Sequence, residues 1–146
     1  MVDALLTAAD RRTSRGAHAP LRLLIADDER DTVDVLTMIL RDEGHVVYGL
    51  YTGKEVMPAV GLFRPDAMIM DIGIPGVSGY AVAQAVRHSF TDMRRPLLIA
   101  ISGQWMETPD RMVALQVGFD HHLTKPCDPA QIIDLLEPLR TARFRA

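Results

Sequence analysis

Short apolar runs alternate with helix-patterned segments from residue 21 onward, and this alternation constrains the fold more than any other feature. "LRLLIA" (21–26), "DAMIM" (66–70) and "PLLIAI" (96–101) are short for helices, and their apolar character fits strands buried on both faces. "HVVYGLY" (45–51) and "FDHHLT" (119–124) supply two further strands. Between them, "ERDTVDVLTMILRDEG" (29–44) sets Val33, Leu36, Ile39 and Leu40 at helical spacing, with Gly44 as its stop. "GKEVMPAVGLF" (53–63) is a weaker helix containing Pro58, and "SGYAVAQAVRHS" (78–89) turns Tyr80, Ala83 and Val86 inward. "TPDRMVALQVG" (108–118) carries Pro at its start and Gly at its end. The last helix, "DPAQIIDLLEPLRTARF" (128–144), has Asp128 as N-cap and Pro129 at its first position. Strands and helices in this order predict a parallel α/β sheet covered on both sides.

The folded unit is expected over residues 21–140. Residues 1–20 read as a mobile tail, small, polar and basic from residue 7, and residues 141–146 as a basic end. Arg140, Arg143 and Arg145 are expected to be solvated there. At 146 residues, 48% apolar and 24% charged, the chain suits one globular domain. Its net charge of −3 argues against a general nucleic-acid binder. Cys127 is the only cysteine, which excludes an intramolecular disulfide and a Cys-rich zinc site. No apolar run approaches the roughly 20 residues of a membrane span, and the start makes a poor signal peptide, so the expected location is cytoplasmic.

In a sheet of this kind ligands bind beyond the carboxyl ends of the strands. Strand one ends in Asp27, Asp28 and Glu29; strand three ends in Asp71; strand four ends in Ser102; strand five is followed by Thr124, Lys125 and Pro126. Singly, each has an ordinary reading: acids favoured at a helix start, a turn-forming Asp, a capping hydroxyl, a surface lysine. Their joint arrival at one rim is far more specific, and Lys125 is one of only two lysines, with Lys54. Three carboxylates brought together repel one another unless a cation joins them or their pKa values shift. Oxygen ligands with vacant positions suit Mg²⁺, with Mn²⁺ as a substitute. A metal so held neutralises phosphoryl oxygens, Lys125 and Ser102 hold others, and Asp71 becomes the candidate nucleophile, forming an acyl phosphate. On this reading "MIMDIGIPGVSGY" (68–80) ends its strand in an acid because a rigid, half-buried carboxylate accepts the phosphoryl group.

The pieces "IADDE", "MIMDIGIPGVSGY", "AISG" and "GFDHHLTKP" resemble the response-regulator receiver domain, the CheY-like phosphoacceptor of two-component signalling. The resemblance implies a flavodoxin-like (βα)5 fold with strand order 2-1-3-4-5. It implies that Asp28 holds Mg²⁺ directly and Asp27 through water, that Asp71 is the phosphoacceptor, and that the Gly73 carbonyl is a further metal ligand. Ser102 takes the switch-hydroxyl position, Lys125 the family's lysine position, and the Lys125–Pro126 bond is expected to be cis. A histidine kinase or histidine phosphotransfer protein would supply the phosphoryl group, and the face of helix four, strand five and helix five would rearrange. That face is also the expected site of a partner or homodimer contact, with Arg111, Met112 and Leu115 as candidates.

Several positions depart from the pattern. His122 stands where the family has Tyr or Phe, which puts the coupling to Ser102 in doubt. His121 is expected to face solvent on the opposite side of the strand. Gly73 and Gln104 fall at positions that tune phosphate lifetime in the family. Trp105, the only tryptophan, is expected to be an exposed partner contact in preference to a lid. The expectation is of a switch that catalyses only its own phosphoryl transfer and dephosphorylation. Either a stand-alone regulator or a receiver from a larger protein, such as a hybrid sensor kinase, fits the residues, with no direct nucleic-acid or membrane contact. Competing readings are a Mg²⁺-dependent phosphohydrolase, disfavoured by glycine at 73; a flavin-binding domain, disfavoured by "DDERD"; and a phosphorylation-independent scaffold.

Overall fold

The computed structural model describes residues 19–90, 95–103 and 108–145, without side chains for 108–111 and 143–145. β1 (Arg22–Ala26), α1 (Arg30–Asp42), β2 (Val46–Leu50), α2 (Val56–Phe63), β3 (Ala67–Asp71) and α3 (Gly79–Ser89) come first. β4 (Leu97–Ser102), α4 (Thr108–Val117), β5 (His121–Thr124) and α5 (Pro129–Arg145) complete the chain order. All strand pairs are parallel, and the order across the sheet is β2-β1-β3-β4-β5. This is the doubly wound fold expected from the alternation.

Period-two alternation divides the interior in two. Leu24, Ala26, Met68, Met70, Leu98 and Ala100 face α2, α3 and α4. Leu23, Ile25, Ala67, Ile69, Ile99 and Ile101 face α1 and α5. All five residues of β3 are buried, as a central parallel strand between two helical layers requires.

Local chemistry explains the element ends. Gly44, at φ +97°, carries the left-handed turn after α1. Pro58 sits in the first turn of α2, where its missing N–H leaves no hydrogen bond unmade. Asp128 caps α5 by accepting the Ala130 N–H at 3.0 Å. At Gly79 an added Cβ would lie 2.8 Å from the Ile72 Cα, so α3 begins pressed against the segment leaving β3. That contact fixes where the chain goes after Asp71.

The C-terminal expectation needs correction. α5 runs to Arg145, and Arg140 is only 3% exposed. It lies four residues beyond Leu136 and eight beyond Ile132, both fully buried, so it shares their inward stripe. Leu139 and Ile133 are only partly buried beside it.

Candidate functional site

The sheet brings the strand-end residues into one depression. Asp27 follows β1 directly and is 2% exposed, Asp71 ends β3 at 9%, and Ser102 ends β4 at 1%. Asp28 is exposed on the way into α1. One oxygen from each of Asp27, Asp28 and Asp71 lies within 4.8 Å of the others.

Lys125 reaches across this cluster from the end of β5. Its Nζ lies 2.8 Å from Asp27 Oδ2 and 3.0 Å from Asp71 Oδ2, with Glu29 Oε2 more distant at 3.9 Å. The other oxygen of each buried acid is fixed by backbone. Asp71 Oδ1 accepts the Gly73 N–H at 2.8 Å, and Asp27 Oδ1 accepts the Glu29 N–H at 2.9 Å. Both carboxylates are therefore oriented, each with one oxygen on the ammonium. The Lys125–Pro126 peptide is cis, and the Lys125 N–H donates to the Ser102 carbonyl at 2.7 Å, tying the lysine's backbone to β4.

Burial pushes the Asp27 carboxyl above its usual range; the Lys125 and Glu29 hydrogen bonds oppose this, and the like charge of Asp71 adds to it. For Lys125, burial acts to lower the pKa, but the Asp27 and Asp71 carboxylates outweigh it and the net shift is upward. The lysine stays charged and offsets one of three neighbouring carboxylates. The remaining negative charge, presented by oxygen atoms alone, fits a hard divalent cation.

Ser102 Oγ lies 2.8 Å from His122 Nε2. His122 and its neighbour His121 are both partly exposed, pairing with Ala100 and Ile99 across β4. Gly73 has room for a side chain: an added Cβ would meet only Asp71 Oδ1, at 3.5 Å. Gln104, Trp105 and the side chain of Arg111 lie outside the described residues. Met112 and Leu115 are 59% and 44% exposed on α4.

Two features escaped the sequence reading. A groove of about 580 Å³ opens beside Lys125, lined by Glu29, Val35, Leu36, Pro126 and Cys127 among others. Its apolar wall was foreshadowed only by Val35, an apolar residue off the inward stripe of α1. The second is the Ser102–His122 bond: both residues stood out in the sequence, but nothing linear sets their distance.

Comparison with known proteins agrees with this geometry. The chain is 32% identical over 112 residues to the regulatory protein VanR of Enterococcus faecium, covering 77% of this chain and 46% of VanR. It thus spans about half the length of that relative. It is 33% identical over 119 residues to an uncharacterized 14.6 kDa protein of Leptolyngbya boryana, covering 82% and 89% of the two chains. A CheY-like receiver domain protein from Methanospirillum hungatei superposes with a TM-score of 0.76 at 20% identity, over 87% of this chain and 98% of that one, a likeness of fold. Residues 23–137 match the response regulator receiver domain family, and the chain belongs to it.

Proposed function

We propose that this receiver domain accepts a phosphoryl group on Asp71 from the phosphohistidine of a histidine kinase or histidine phosphotransfer protein. The observation that carries the reading is the setting of Asp71: nearly buried, one oxygen on the Gly73 N–H and the other on Lys125, inside a three-carboxylate cluster. An Asp71 oxygen would attack phosphorus, the P–N bond to the donor imidazole would break, and the imidazole would take up a proton as it leaves. Lys125 would hold a phosphoryl oxygen, and so would the Ser102 hydroxyl. Asp27, Asp28, Asp71 and the Gly73 carbonyl would hold Mg²⁺, or Mn²⁺ in its place, which when bound offsets phosphoryl charge. Gly73 and Gln104 would influence how readily water reaches the acyl phosphate. The protein catalyses its own modification and turns over no external metabolite.

The groove beside Lys125 supports docking of the donor protein, because a partner delivering a group to Asp71 must come close to that wall. The signal is read on α4, β5 and α5, where Met112, Val113 and Leu115 are exposed and offer an apolar surface to a downstream protein or second copy. No helix among the described residues is long and apolar enough to cross a membrane.

Intact mass after incubation with a small phosphodonor and Mg²⁺ tests the proposal. One added phosphoryl group in the wild type, absent from Asp71→Asn and absent without the metal, is the expected result. An adduct that persists in Asp71→Asn would overturn it. Trp105 fluorescence, followed in parallel, reports whether the segment before α4 responds.

A further inference from the structure

The Ser102–His122 hydrogen bond has a consequence for the reaction. Ser102 is 1% exposed, so its hydroxyl has no route to bulk water and must find a partner within the protein. In the unmodified chain that partner is His122 Nε2, at 2.8 Å. A serine hydroxyl has a single proton to give. An imidazole nitrogen can compete for that proton, whereas a hydrocarbon ring at position 122 could only pack beside it.

We infer that His122, in the tautomer protonated on Nδ1, is a positioning residue: its Nε2 and a phosphoryl oxygen on Asp71 are alternative acceptors for the one proton of the Ser102 hydroxyl. This rests on Asp71 as phosphoacceptor. Ser102 stands on β4 between the two strands concerned, since Ile101 is in register with Asp71 on β3 and Ala100 with His122 on β5. A phosphoryl oxygen is charged and accepts a hydrogen bond roughly twice as strong as a neutral acceptor does, so modification draws the hydroxyl away from the imidazole. His122 is partly exposed, so water can approach the released nitrogen. The exchange removes one side-chain tie between the edge strand β5 and β4. Modification is thereby coupled to β5 through a proton, where a phenyl ring, having no acceptor nitrogen, could couple only through its volume.

The test combines imidazole ¹⁵N NMR with affinity for beryllofluoride, a phosphoryl mimic, in the full chain with Mg²⁺. In unmodified protein, Ser102→Ala should shift the His122 Nε2 resonance, and beryllofluoride should move the wild-type resonance in the same direction. His122→Phe removes the competitor and should tighten beryllofluoride binding about fivefold, the worth of one hydrogen bond. His122→Gln, which keeps a polar atom near the position of Nε2, should bind like wild type. In a Ser102→Ala background the Phe and Gln variants should be indistinguishable. An adduct that forms while the His122 resonance stays put, or equal affinities of the Phe and Gln variants with Ser102 present, overturns the inference alone. If no adduct forms in wild type, the phosphoacceptor reading falls and the inference with it.

Discussion

Polar groups gather at both ends of the sheet, and the two ends use them differently. At the amino end they hold backbone. His45, 6% exposed, accepts the Leu21 N–H on Nδ1 at 3.1 Å; Asp66 accepts the Arg22 N–H at 2.8 Å. Asp120 accepts the Leu98 N–H at 2.8 Å while pairing with Arg95 at 2.8 Å. These are satisfied groups that close the start of β1 and β4. At the carboxyl end the acids are turned toward one another, with Lys125 between Asp27 and Asp71. The amino end pairs its polar groups with backbone and with each other, whereas the carboxyl end sets three carboxylates around one ammonium and keeps an excess of negative charge.

Perturbing each end separately tests this contrast. The largest effect is expected at Asp71. Asp71→Asn should abolish phosphoryl incorporation by intact mass, while its thermal midpoint stays level or rises because a like charge beside Asp27 is gone. A variant that unfolds would show that Asp71 is structural and dissolve the distinction.

Next comes His45, whose pKa burial and the nearby Arg140 charge lower from 6.5 to about 4, against a smaller upward pull from Asp66. The fold binds the neutral imidazole, so its contribution is complete above pH 6.5. It is lost as pH falls toward 4, about 1–3 kcal/mol in all. Urea denaturation across that window should show the slope, and His45→Gln should flatten it while leaving Asp71 modification unchanged. A slope that survives the substitution assigns it to other groups.

Lys125→Ala should cost about 1–2 kcal/mol, since Asp27 and Asp71 then face each other without the ammonium. Added Mg²⁺ should narrow the gap in stability between Lys125→Ala and wild type, whereas it should leave the gap between His45→Gln and wild type unchanged. Equal responses of the two variants to the metal would remove the contrast between the ends. The smallest effect belongs to the groove. Val35→Asp should slow phosphoryl transfer from a donor protein several-fold and leave transfer from a small phosphodonor unchanged, as stopped-time mass analysis would show.

How far the sequence could be read depends on the range of each interaction. The helix stripe Val33, Leu36 and Leu40, the turn at Gly44 and the Asp128 cap all arise within a few residues, and all were legible. Ile39 and Tyr80 are only partly buried, because helical spacing fixes a stripe and the neighbouring elements decide its width. Arg140 was misread because charge was weighed ahead of periodicity. Its place in the Ile132, Leu136, Arg140 series was visible, but its burial depends on α5 packing near His45, a residue far away in the chain.

By itself the sequence determined the alternation of five strands and five helices and placed the acids at strand ends, because hydrophobic periodicity and turn chemistry are local. Only the tertiary structure decided which of those residues meet. Lys125 and Asp71 are 54 positions apart and His122 and Ser102 are 20 apart, and their contacts follow from the register of parallel strands. That register is set by the whole core, since each strand is held by neighbours on both faces and no short stretch of sequence contains them.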